Sequence, residues 1–134
     1  NNMTGDRGAI ALSKLVKEAP LLEDFRCSST RVGSEGGVSL AMALLSGSSL
    51  KRIDLRDNPV GVEGAIALAK TLKQHSDLKE VYLSYLGLED EGAIAILEAL
   101  EGTSPHLEVF VYNISYCALN YKDSRNTHVE HFLH

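Results

Sequence analysis

Cysteine is scarce in this chain. The two present, Cys27 and Cys117, stand 90 positions apart, so no disulfide framework staples the fold. Apolar runs extend only a few residues, far short of the roughly twenty that a membrane-crossing helix needs, and no secretory signal opens the sequence. A reducing, cytosolic setting is the expectation that follows, and "NIS" at Asn113 to Ser115 is then a chance match to a glycosylation acceptor. There is no basic stripe, and the net charge is −5, which disfavours a phosphate backbone as partner. The glycine cluster from Gly33 to Gly37 lacks the lysine of a phosphate loop. No nucleophile, base and orienting group recur at workable spacing, so neither catalytic chemistry of its own nor a cofactor is expected.

What the chain does have is a rhythm that changes within single short segments. In "LKRIDLRDNPVGVEGAIA", Leu50, Ile53 and Leu55 end in alternation, as in a strand with one buried face. In "VEGAIALAKTL", Ala65, Leu68, Ala69 and Leu72 fall three or four apart, on one face of a helix. This strand, turn and helix return at a fixed distance. Leu22, Leu50 and Leu78 lie 28 residues apart, with Leu107 following 29 later, and Gly8, Gly36, Gly64 and Gly92 keep the 28-residue step. A period of 28 to 29 with Leu-x-x-Leu-x-Leu-x-x-Asn is the long leucine-rich repeat with one helix per repeat.

The predicted architecture is therefore an α/β leucine-rich-repeat solenoid of the ribonuclease-inhibitor type, with parallel strands on the concave side and helices on the convex side. At 134 residues and 44 % hydrophobic content, one domain is expected. The array covers residues 1–110, as a partial repeat over 1–21, repeats from 22, 50 and 78, and the start of a fourth at 107. Strands begin near Leu22, Leu50, Leu78 and Leu107, and helices cover about 7–18, 34–46, 62–74 and 90–101. The inward set includes Phe25 and Cys27, which makes Cys27 a small core residue rather than a nucleophile. Asn58 takes the place where the repeat needs a side chain to bond neighbouring backbone. The recurring glycine implies close packing of helix on strand, and Glu35, Glu63, Asp90 and Glu91 favour the helix N-termini.

Residues between the leucines form columns on the exposed sheet face. Asp24, Arg52 and Glu80 make one and Arg26, Asp54 and Tyr82 the next, with signs that allow exposed pairs across the ladder. From residue 78 to 110, Lys79 stands alone against Glu80, Glu89, Asp90, Glu91, Glu98, Glu101 and Glu108, an acidic ridge able to steer a basic partner or simply a solvated rim.

The strings "FRCSSTRVGSEGG" and "YLSYLGLEDEG" exceed the general repeat consensus. With "LKRIDLRDNPVGVEGAIALAKTL", they make Asn1 to about Val109 resemble consecutive repeats of the Ran GTPase-activating proteins, most closely the plant branch. The resemblance implies a crescent that binds the small GTPase Ran and speeds its GTP hydrolysis without an arginine finger, by ordering the GTPase's own catalytic residues, in support of nucleocytoplasmic transport. It places the chain in the cytoplasm, and at the nuclear envelope in the full-length relative. The chain also departs from the family. The asparagine and arginine tied to activity precede the matched segment and fall on no position here, the plant Trp-Pro-Pro motif has no counterpart in a chain without tryptophan, and the acidic C-terminal tail is missing. The expectation is an internal fragment that keeps a partner-binding edge at Arg56, Asp57, Asn58, Tyr85, Glu89 and Asp90 without activating the GTPase. A generic leucine-rich-repeat interaction module and an inactive truncation product are the alternatives.

After "LEVF" the repeat grammar stops. Asn120 stands where the next glycine belongs, and residues 111–134 form an atypical tail in which two of His128, His131 and His134 could share a helix face and hold a metal, without a third ligand of assured placement.

Overall fold

In the computed structural model, residues 5–47, 49–75, 77–101 and 107–110 are described. Helices and strands alternate throughout. They run α1 (Gly5–Lys17), β1 (Asp24–Arg26), α2 (Ser34–Leu44), β2 (Arg52–Asp54), α3 (Gly61–Gln74), β3 (Glu80–Tyr82), α4 (Glu89–Glu101) and β4 (Glu108–Phe110). The tail, with its histidines and Asn113, lies outside the described residues.

The strands form one sheet in the order β1-β2-β3-β4, and every pair is parallel. Each helix is thus the crossover between two neighbouring parallel strands, which is the connection such pairing requires. Among the helices, each touches only its neighbours in sequence, so α1 to α4 stand in a single row.

Burial follows the two periods. In each of β1, β2 and β3 the middle residue, Phe25, Ile53 or Val81, is buried while its neighbours point the other way. In α3 the buried Ala65, Leu68, Ala69 and Leu72 form the face expected from their spacing, and α4 buries Ala93, Ile96, Leu97 and Leu100 at the matching places. Strand leucines Leu50, Leu55, Leu78 and Leu83 complete one continuous core with them, and Cys27 is buried in it with Sγ 3.2 Å from Thr30 Oγ1.

Two expectations are corrected. Register puts Phe25 opposite Ile53, Ile53 opposite Val81 and Val81 opposite Val109, so the 28-residue step holds across the whole sheet. The 29-residue step to Leu107 is not a step between strands, because Glu108 N–H, not that of Val109, bonds the Lys79 carbonyl. The recurring glycine, for its part, packs helix on helix rather than helix on strand at Gly36 and Gly92, while at Gly64 the space is filled by Val60, just ahead of its own helix. A Cβ on Gly36 would stand 2.7 Å from Asp6 Oδ1 and 2.8 Å from Ala9 Cβ of α1, and one on Gly92 would stand 2.9 Å from Ala65 Cβ of α3. Side chains at these places would push adjacent repeats apart.

Polar groups inside the row of helices are matched to carbonyls in the last turn of the preceding helix. Thr71 Oγ1 of α3 donates to the Ala41 carbonyl of α2 at 2.8 Å, and His75 Nε2, one turn on, faces the Leu44 carbonyl. A carbonyl only accepts, so Nε2 carries the proton there. At the other end Asp6 of α1 accepts from the N–H groups of Gly33 (2.7 Å) and Gly36 (3.0 Å), capping α2 from the preceding repeat.

Candidate interaction surface

The sheet face opposite the helices carries the predicted columns, and register aligns Asp24 with Arg52 and Glu80, and Arg26 with Asp54 and Tyr82. Arg52 sits at the centre. Its guanidinium contacts Glu80, lies 3.8 Å from Asp24 Oδ1, and stacks over the Tyr82 ring with its carbon 4.5 Å from the centroid. Arg56 approaches the same ring at 4.8 Å, so the aromatic face is already engaged by two cations.

The second column does not pair across strands as expected. Arg26 turns back along its own strand to Asp24, with Nε 2.9 Å from Oδ1 and a terminal nitrogen 2.7 Å from Oδ2. Asp54 is no exposed partner for it. Its side chain is 3 % exposed, and its carboxylate receives the Arg56 backbone N–H (3.2 Å) and two guanidinium bonds (3.0 and 2.7 Å). Residues two apart in a strand share a face, which lets each arginine reach the acid on its own strand without crossing the ladder. The carboxyls respond accordingly. The Arg26 bonds hold Asp24 below the usual carboxylate range against a smaller effect of burial. Burial pushes Asp54 up, but the side-chain and backbone bonds from Arg56 and the charge of Arg52 outweigh it and leave the group below its ordinary value.

At the C-terminal ends of the strands the backbone turns left-handed at the same place in each repeat, at Ser29 (φ 55°), Asp57 (φ 58°) and Tyr85 (φ 58°). Glu89 (φ 53°) takes the place held by Gly5 and Gly61 in earlier repeats, both also at positive φ. Each such non-glycine costs roughly 1 kcal/mol. Backbone ladders hold the turn, since Ser29 N–H bonds the Arg56 carbonyl and Asp57 N–H bonds the Ser84 carbonyl. Ser29 Oγ also donates to Asp57 Oδ2 at 2.8 Å.

Of the six residues expected at the partner-facing edge, five are exposed there. Arg56 and Asp57 flank the end of β2, Tyr85 follows β3 with 53 % of its surface exposed, and Glu89 and Asp90 open α4. Asn58 leaves the set because it is fully buried. Its Oδ1 accepts from Thr30 N–H (3.2 Å), Thr30 Oγ1 (3.1 Å) and Val32 N–H (3.1 Å), and its Nδ2 donates to the carbonyls of Cys27 (2.6 Å), Leu55 (2.9 Å) and Arg56 (3.2 Å). It holds two adjacent turns together and offers nothing to a partner. Sequence reasoning missed the cap from Asp6 and the Ser29–Asp57 bond. The latter's 28-residue offset was a usable signal, whereas nothing in the sequence singles out Asp6. Among the described residues no group of three or more metal-ligating side chains converges.

The comparisons fit this geometry. Residues 48–69, spanning β2 and most of α3, match the model described as "Leucine Rich repeat". The solved structure titled "Leiomodin-1 Actin-Binding Site 2 (ABS2)" superposes with a TM-score of 0.68 at 14 % identity, over 83 % of this chain and 64 % of that one. No curated protein sequence matches. This chain thus spans less than two thirds of the neighbour's length, and at that identity the likeness concerns fold alone. The chain contains a leucine-rich repeat in an α/β fold of parallel strands and crossover helices, the framework of a protein-interaction module.

Proposed function

We propose that this chain is a leucine-rich-repeat solenoid belonging to a Ran GTPase-activating protein, with its strands on the concave side and its helices on the convex side, and that it contributes part of the contact with Ran on the cytoplasmic side of nuclear transport. The family-like strings support this reading, and the observation that carries it is the edge at the strand ends. There an exposed tyrosine on a left-handed backbone stands beside Arg56, Asp57, Glu89 and Asp90. Tyrosine and arginine are the residues that anchor protein interfaces most often. Acceleration of hydrolysis needs groups placed against the transition state, and those the family uses have no counterpart in this sequence, so the module binds without activating.

The test is retention of purified chain on immobilised Ran in its GDP and GTP forms, followed by single-turnover phosphate release with excess chain. Retention by the GTP form, weakened by salt, with no rate increase, is the expected result. A clear rate increase overturns the assignment of activity to other repeats. Absence of retention by either form overturns the Ran reading and leaves a leucine-rich-repeat module with another protein partner.

A further inference from the structure

The helical side carries a second pattern, independent of the sheet-side edge. Ile10, Val38, Ile66 and Ile94 occupy the same place in α1, α2, α3 and α4, 28 residues apart, and each is followed by a small residue, Ala11, Ser39, Ala67 or Ala95. All four β-branched side chains are partly or well exposed, Ile66 at 37 %, and none packs against the core. Side by side in a row of helices they form an apolar belt.

The rows bordering the belt are charged, and their sign changes from end to end. One turn before the belt, one turn after it and one turn further, α1 presents Arg7, Lys14 and Lys17, while α4 presents Glu91, Glu98 and Glu101 at the matching places. All but the half-buried Glu101 are exposed, and none forms an ion pair among the described residues. Between them, Met42 of α2 is 56 % exposed. The middle helices carry exposed Glu35, Glu63, Lys70 and Lys73 in the same bordering rows, so the surface is apolar along the belt and opposite in charge at its two end helices, which complement each other.

We propose that this face is a homodimer interface, with a second copy stacked on it about a two-fold axis parallel to the helices and passing between α2 and α3. That operation sets α1 against the partner's α4 and α2 against the partner's α3. Ile10 then meets the partner's Ile94 and Val38 the partner's Ile66. Arg7 meets the partner's Glu91, Lys14 the partner's Glu98 and Lys17 the partner's Glu101, each twice by symmetry. Against three kinds of attractive pair stand Glu35 facing the partner's Glu63, and Lys70 and Lys73 facing the partner's Met42 and the partner's Leu45 without a counter-charge. The alternative axis, perpendicular to the helices, would set α1 on α1 and confront Arg7, Lys14 and Lys17 with like charge, so the charge pattern selects the orientation. Helices of 11 to 14 residues are about 20 Å long. With axes roughly 9 Å apart the face measures roughly 30 by 20 Å, near the low end for specific interfaces, so the dimer is weak, micromolar or looser.

Sedimentation equilibrium on the full chain tests this, at concentrations up to about 500 µM in low and high salt, with thermal unfolding by circular dichroism run in parallel. A monomer–dimer equilibrium that loosens with salt is expected. Lys14→Glu and Glu98→Lys should each raise the dissociation constant roughly tenfold, because each disrupts two symmetry-related pairs. Both substitutions in one chain should restore it to within about threefold, since Lys14 and Glu98 lie on helices at opposite ends of the row and exchange signs only across the interface. All three variants should keep the parental melting curve. A chain that stays monomeric at about 500 µM in low salt overturns the proposal, as does a dimer indifferent to both reversals or a double variant no tighter than the single ones.

Discussion

Asn58→Ala tests the physics of the repeat most directly. The wild-type amide is fully buried and makes six contacts within 3.2 Å, three through Oδ1 and three through Nδ2. Truncation strands the Thr30 and Val32 N–H groups and the Leu55 carbonyl, and leaves the Cys27 carbonyl only the bond from Thr30 Oγ1 at 3.3 Å. The Arg56 carbonyl keeps its bond from Ser29 N–H. Each orphaned buried group costs about 1–3 kcal/mol, but water entering the small space recovers part of that. A net loss of about 3–4 kcal/mol is therefore expected, a large share of the roughly 5–15 kcal/mol that keeps a domain folded. The assay is urea unfolding followed by circular dichroism, with the slope of the transition checked for constancy, and the matching fall in melting temperature is about 10–15 °C. Asp57→Ala is the control one residue away, because it removes the exposed Ser29 bond and puts alanine on a left-handed backbone (φ 58°) that aspartate tolerates better, and should cost about 1 kcal/mol. If Asn58→Ala costs no more than Asp57→Ala, the side chain is not the tie between turns.

Gly36→Ala should destabilise by about 1–3 kcal/mol in the same assay, since the added Cβ meets Asp6 and Ala9 of α1, including the Asp6 backbone at 3.0 Å. Arg31→Gly should stabilise by about 0.5–1 kcal/mol, because Arg31 is exposed and left-handed (φ 60°). Asp24 and Asp54 both titrate below their ordinary value when folded, so the unfolded chain binds more protons in that range. The stability they contribute is complete above about pH 4 and lost as pH falls toward the lower folded values. An acid titration of Asp54→Asn should therefore show a shallower loss below about pH 4 than the parent chain. Tyr85→Ala should weaken retention on Ran about tenfold or more with an unchanged melting curve, and unchanged retention would remove Tyr85 from the interface.

The fold was legible because the repeat states each instruction several times. The helix expected over 34–46 is Ser34–Leu44, that over 62–74 is Gly61–Gln74 and that over 90–101 is Glu89–Glu101. Buried faces followed from the 3.6 and 2.0 periods, and Asn58 from its place in the consensus. Contacts that depend on which of two partners a long side chain chooses were not legible. Arg26 had Asp54 across the ladder and Asp24 along its own strand. It takes Asp24, because Asp54 is sunk below the surface and already holds Arg56. The glycines were recognised as close contacts but assigned to the wrong neighbour, since a column of glycines states that space is short and not which element fills it.

The distribution of ion pairs bears on where a partner is read. Among the described residues, the pairs Arg26–Asp24, Lys51–Glu23, Arg52–Asp24, Arg52–Glu80 and Arg56–Asp54 all belong to the sheet or its approaches. A ligand that enters the middle of the sheet face must displace one member of a formed pair, and drawing Arg56 away leaves the buried Asp54 carboxylate, 3 % exposed, short of a partner. Within the edge, Arg56 is paired with Asp54, and Tyr85 is the residue that differs. Tyr85 already stands half in water, and Glu89 and Asp90 are exposed at the start of a helix whose dipole favours their charge. A partner that covers the tyrosine gains its apolar area without breaking a pair, while the satisfied charges on the sheet keep adjacent repeats in register beneath it. On the reading proposed above, the sheet face is the rigid support of the site and the loop edge its reader.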